Sequence, residues 1–166
     1  MLIVLVGPKG SGKSHIGRYL ERAFGVRFVN VEPLWMQYYA RCERAGRPPD
    51  IVEGIGRVHP RIARALRENA PVCVETTGAS PEILAALLAL APPPKRIVVR
   101  VVAPLELCLE RIASRDPTHQ IPVDPAIAKQ LFRMSVSVPI DADLTLQNVD
   151  LSDAALAEHF RALLPG

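Results

Sequence analysis

The sequence predicts an α/β domain built on a mainly parallel sheet with helices on both faces, and three observations predict it. An unbroken apolar run, Leu2-Ile3-Val4-Leu5-Val6, opens the chain and suits a strand covered on both sides. It leads directly into Gly7-Pro8-Lys9-Gly10-Ser11-Gly12-Lys13-Ser14, which fits G-x-x-x-x-G-K-[ST] between a strand and a helical pattern. Beyond it, strand signals alternate with helix signals to the end of the chain. At 166 residues the chain suits one domain around a single core, spanning 1–166.

The elements follow in order. After the first strand, Ser14 to Phe24 reads as a helix with Ile16, Leu20 and Phe24 on one face, stopped by Gly25. Val26 to Val31 is a short second strand, and Pro33 suits the first turn of a helix running to about Ala45. Apolar residues 51, 55, 58, 62 and 66 keep a helical phase from Ile51 to Asn69, with a kink or a break expected near His59-Pro60. Pro71 to Glu75 is the third strand, and Ser80 caps a helix over Pro81 to Leu90. Arg96 to Val102 is the fourth strand, and Pro104 opens a helix to about Arg115 with Leu105, Cys108, Leu109 and Ile112 inward. A loop rich in Pro, Asp, Thr and His (116–125) precedes a helix over Ala126 to Ser135. Ala142 to Gln147 is the fifth strand, and Ser152 or Asp153 caps a last helix to Leu164.

Composition excludes several classes. No apolar run approaches the roughly 18 residues that span a bilayer, so no membrane association is expected. The first apolar run lacks a basic flank, which argues against a signal peptide, and free thiols suit a reducing compartment, so a cytoplasmic location is expected. Cys42, Cys73 and Cys108 are widely spaced and fit buried thiols. A net charge of +3 is too mild to imply nucleic acid. Arginines 41, 44, 47, 57, 61, 64 and 67 nevertheless cluster, either as a solvated helix surface or as a surface receiving an anionic substrate.

The glycine-rich run explains its own residue types. Glycines let the backbone curl so that successive N–H groups face a polyphosphate, and the following helix aims its positive end at the same place. Lys13 would place a point charge on the β/γ-phosphates and Ser14 would offer a hydroxyl to Mg²⁺. The candidate ATP-binding residues are therefore Gly7, Pro8, Lys9, Gly10, Ser11, Gly12, Lys13, Ser14 and His15. Carboxylates at the C-terminal ends of strands are candidates for ordering the metal or accepting a proton, and Glu32 and Glu75 both qualify. Val72-Cys73-Val74-Glu75 resembles a Walker B strand with Glu in place of Asp. Arg111 and Arg115, four apart at a helix end, would close over a triphosphate as the root of a lid over 111–123. His59, His119 and His159 show no ligand spacing.

Gly12-Lys13-Ser14-His15-Ile16-Gly17-Arg18-Tyr19-Leu20, followed by Phe28-Val29-Asn30-Val31-Glu32, resembles the opening of the shikimate kinase and nucleoside monophosphate kinase group of P-loop kinases. Residues 101–123 resemble the lid region of small zeta-toxin-like and polynucleotide-kinase-like enzymes. The resemblance implies a three-layer P-loop NTPase fold, a five-stranded parallel sheet in the order 2-3-1-4-5, and a substrate-binding region over 33–70. It also implies phosphoryl transfer from ATP. The chain departs from shikimate kinases in carrying Asn30-Val31-Glu32 where they have D-x-D, and His15 where they have threonine.

The expected function is an ATP-dependent, Mg²⁺-using small-molecule kinase, acting as a monomer. Its acceptor would be an anionic hydroxy acid, a sugar or a nucleotide. A nucleotide-binding regulatory or assembly protein with slow ATPase activity is the alternative. A GTPase is disfavoured by the lack of N-K-x-D; the nearest string, Gln147-Asn148-Val149-Asp150, has no lysine. A nucleic-acid kinase is disfavoured because no aromatic stacking platform or strong basic stripe is evident.

Overall fold

The computed structural model describes residues 1–68, 71–116, 121 and 123–164. The element order is β1 (Leu2–Val6), α1 (Lys13–Phe24), β2 (Arg27–Val29), α2 (Glu32–Arg44), α3 (Ile51–Arg67), β3 (Val72–Thr76) and α4 (Pro81–Leu88). It continues with β4 (Arg96–Val102), α5 (Leu105–Ala113), α6 (Pro125–Ser137), β5 (Leu144–Gln147) and α7 (Asp153–Leu163). The five strands are parallel and ordered β2-β3-β1-β4-β5, as the resemblance implies. A short 3₁₀ turn at Pro93–Lys95, unforeseen in the sequence, delivers the chain into β4.

Strand β1 explains the two layers of helices. Its five residues are all fully buried, and successive side chains face opposite sides of the sheet. Leu2, Val4 and Val6 pack on one side with Trp35 and Tyr38 of α2, Val58 and Ile62 of α3, and Leu84 and Leu87 of α4. Ile3 and Leu5 pack on the other with Ile16 and Leu20 of α1 and Leu156 and Phe160 of α7. Phe160 is the largest fully buried side chain. Phe160→Ala is expected to cost about 3–5 kcal/mol of stability, read as a lowered urea midpoint at constant slope.

Several boundaries differ from those expected. Helix α3 runs unbroken through Pro60, although the proline removes one backbone donor. Its buried stripe, Gly54, Val58, Ile62 and Ala65, holds it against the core, and Asp50 caps it by accepting the Glu53 N–H at 2.8 Å. Strand β2 keeps only three residues, because it is an edge strand paired to β3 alone. Helix α5 ends at Ala113, so Arg115 lies beyond the helix rather than on its last turn. The following Asp116-Pro117 accounts for the early stop, since a residue before proline is pushed out of the helical region. Of the inward set expected on α5, only Cys108 is fully buried. Helix α4 stops at Leu88 and β5 starts at Leu144, each two residues short of expectation. Helix α6 is longer at both ends, capped by Asp124.

Candidate active site

The C-terminal edges of β1 and β3 lie side by side, with Val6 opposite Thr76. That register puts the glycine-rich loop next to Glu75. Gly10 and Gly12 hold φ of 86° and 95°, left-handed values that the loop's curl requires. A Cβ on Gly12 would fall 2.0 Å from the Asn148 amide nitrogen, so this residue also has no room for a side chain. No side chain caps α1, and its first helical bond is donated by Ile16 N–H to Gly12 O at 3.1 Å. The preceding amides form an anion-binding helix end.

Lys13 is 6% exposed and donates to Gly7 O at 2.7 Å and Pro8 O at 2.8 Å. Burial lowers its pKa from 10.5 to about 8, with Glu75 acting in the opposite direction. Ser14 donates its hydroxyl to both Glu75 oxygens at 2.9 Å. The structure thus joins Ser14 and Glu75. Glu32 stands apart from them: its Oε1 accepts from Lys9 Nζ at 3.0 Å and from Ile121 N–H at 3.0 Å, while Lys9 also donates to Ile121 O at 2.7 Å. Asn30 does not face a metal site here. It accepts the Glu32 N–H at 3.2 Å and so turns the chain into α2.

The two arginines differ. Arg111 donates to Asn148 O at 3.1 Å and Val149 O at 3.0 Å, with a longer contact to Gly10 O at 3.5 Å. It fastens the loop after β5 to the phosphate loop. Among the described residues Arg115 has no hydrogen-bonded or ion-paired side-chain partner, and its charge bears on Lys13. It borders both the main cavity and a cleft formed with Gly12, His15 and Asn148. His15 is exposed, 3.9 Å from Asp153. The middle of the expected lid, 117–120 and 122, and with it His119, lies outside the described residues, as do 69 and 70.

A cavity of about 390 Å³ runs from Lys13, Ser14 and Glu75 to the space between α2, α3, α4 and α6. None of the seven clustered arginines borders it. Arg47 and Arg57 pair with Glu53, lowering its pKa to about 2, and Arg64 and Arg27 pair with Glu68. These pairings suit the first of the two alternatives, a solvated helix surface.

Sequence reasoning missed Asn148. Its side-chain amide donates to Ser11 O at 2.7 Å, and it is buried under the phosphate loop. Its place directly after the fifth strand, at the ligand-binding edge of the sheet, was the available signal. It also missed the wall of Trp35 and Tyr39, whose rings lie 5.8 Å apart. The three cysteines are buried and free, and burial raises the thiol pKa of Cys73 and Cys108, as suits inert core thiols.

A glycine-rich loop on β1, a serine–carboxylate pair across to β3, and this strand order define a kinase-like P-loop α/β fold. The chain belongs to the AAA domain family, whose model matches residues 2–138. Shikimate kinase 2 of Salmonella paratyphi B is 39% identical over 79 residues, covering 46% of this chain and 41% of that protein. The match therefore spans about two fifths of the length of that relative. A sugar kinase from Janibacter sp. HTCC2649 superposes with a TM-score of 0.68 at 15% identity, covering 98% of this chain and 91% of that one. A gluconokinase from Sinorhizobium meliloti 1021 gives 0.63 at 20%, covering 97% and 94%. Shikimate kinase from Aquifex aeolicus gives 0.55 at 24%, covering 98% and 96%. At these identities the solved structures establish the fold. Among the described residues no helix is long and apolar enough to cross a membrane.

Proposed function

We propose that this protein is a small-molecule kinase that transfers the γ-phosphoryl group of ATP to a hydroxyl of an acceptor held beside the phosphate loop. The observation that carries the proposal is the cavity's continuity from the loop into the space between α2, α3, α4 and α6. A protein that only binds or slowly hydrolyses nucleotide has no use for that second compartment. The uncapped helix end and the loop amides, with Lys13, suit the triphosphate. The oxygen donors Ser14 and Glu75 suit Mg²⁺, which takes few protein ligands alongside phosphate oxygens. Bound there, the ion would neutralise charge on the β- and γ-phosphates.

In this reading Glu32 faces the acceptor, since it shares one face of α2 with Trp35 and both border the cavity. The acceptor oxygen bonds to the γ-phosphorus, and the bond to the β,γ-bridging oxygen breaks with its electron pair remaining on ADP. The hydroxyl proton passes to Glu32. Lys9 orients that carboxylate, Arg111 holds the loop after β5 against the phosphate loop, and His15 lines the nucleotide side. Arg115, with no side-chain partner among the described residues, is the guanidinium available to charge developing in transfer.

Acceptor-dependent ADP release across a panel of hydroxylated compounds tests the proposal. Equal release with and without every acceptor would favour the regulatory alternative. Arg115→Ala should lower turnover by about a hundredfold while leaving ATP affinity within a few-fold. Arg111→Ala should instead lower the melting temperature and weaken ATP binding, because it releases Asn148 and Val149. Lys13 adds a pH test. Burial lowers its pKa to about 8, and a triphosphate favours its charged form. ATP binding should therefore take up protons above pH 8 and weaken as pH rises. Calorimetry in two buffers of different ionisation enthalpy reads this directly.

A further inference from the structure

We infer that the acceptor is an uncharged, lipophilic alcohol bearing an aromatic ring, seated between the Trp35–Tyr39 wall and the apolar side chains of α4 and α6. The inference rests on the kinase reading and assigns its substrate class. Where α2, α3, α4 and α6 border the cavity, its apolar lining is Trp35, Tyr39, Val58, Ile83, Leu87 and Met134. Of these, Tyr39 and Met134 stay 37% and 41% exposed, so large apolar surface is left for a ligand to cover. The volume of about 390 Å³ suits a small organic molecule.

The charges of the described residues argue against an acid. Three basic side chains other than histidine border the cavity among the described residues: Lys9, Lys13 and Arg115. Lys9 is already paired with Glu32, and Lys13 and Arg115 stand at the phosphate end. His59, the remaining basic group, has its pKa lowered by burial and is neutral at pH 7. A carboxylate in the apolar part would lose its hydration with no unpaired cation among the described residues there to replace it. The ring wall is also rigid. A Cβ on Gly54 would lie 2.2 Å from the Trp35 ring, so α3 backs the indole directly, while Tyr38 packs edge-on at 6.1 Å. Such a wall favours a flat ring over a hydrated polyol.

The test compares 3-phenylpropane-1,2-diol with 3-phenyllactate, which differs in having a carboxylate in place of one hydroxymethyl group, and with gluconate. Trp35 is the only tryptophan, so its fluorescence reports binding without any turnover. The diol should perturb the emission saturably and bind at least about tenfold more tightly than phenyllactate, with no response to gluconate. With ATP present, the diol should become a phosphate ester as ADP forms. Met134→Arg, at the exposed rim, should reverse the preference by supplying the missing cation, with circular dichroism confirming the fold. Trp35→Leu should raise the KM for the diol far more than it changes ATP affinity. Selective diol binding without ADP formation would keep the ligand class and remove the kinase reading. Tighter binding or faster phosphorylation of phenyllactate or gluconate would overturn the ligand class while keeping the kinase reading. So would failure of the diol to bind a protein that still binds ATP.

Discussion

Lys13→Ala is expected to weaken ATP binding by about two orders of magnitude and to abolish phosphoryl transfer. Its ammonium is the compact cation buried at the loop, and a charge-assisted bond to phosphate at such a site contributes about 1.5–3 kcal/mol. In the structure the same group donates to Gly7 O and Pro8 O, so its loss leaves two carbonyls unpaired. Lys13→Met, which preserves the stem, separates charge from packing. Both variants should bind ATP poorly, and methionine should retain more thermal stability than alanine. Calorimetry giving wild-type affinity in either folded variant would remove the triphosphate assignment.

Glu75→Gln is expected to lower turnover by about a hundred- to a thousandfold while changing ATP affinity only a few-fold. The carboxylate accepts the Ser14 hydroxyl on both oxygens, and the amide keeps shape while removing charge. A merely structural Glu75 would give loss of stability without the kcat-specific loss. In the wild-type protein the rate should depend on Mg²⁺ concentration, and the variant should need more of it. An unchanged Mg²⁺ dependence would detach Glu75 from the metal. Asn30→Asp should not rescue the variant, because position 30 caps the turn into α2.

The sheet and the phosphate loop were legible because both rest on local pattern. An unbroken apolar strand followed by the glycine run located β1 and the loop, and β4 falls where Arg96 to Val102 predicted it. Hydroxyls at Ser80 and Ser152 cap α4 and α7, each accepting from the N–H three residues on. Strand order came from resemblance, since register across β1, β3 and β4 is a long-range property. What stayed hidden was also long-range. Proline at 60 is a local breaker, but the buried stripe of α3 overrides it. The clustered arginines look like a receptor for anions until Glu53 and Glu68 are placed beside them. Glu32 and Glu75 both qualified as strand-end acids, and their division of roles stayed open. Only the fold gives Ser14 to one and Lys9 to the other.

The central claim is transfer across a continuous cavity, and the most direct measurement follows both products at once. Wild-type protein is incubated with ATP, Mg²⁺ and 3-phenylpropane-1,2-diol, and ADP, inorganic phosphate and phosphate ester are quantified together by phosphorus NMR. The account predicts ADP and ester in equal amounts, little inorganic phosphate, and negligible ADP when the diol is left out. ADP matched by inorganic phosphate, formed at the same rate with the diol, with a hydroxy acid or with no acceptor, would contradict it.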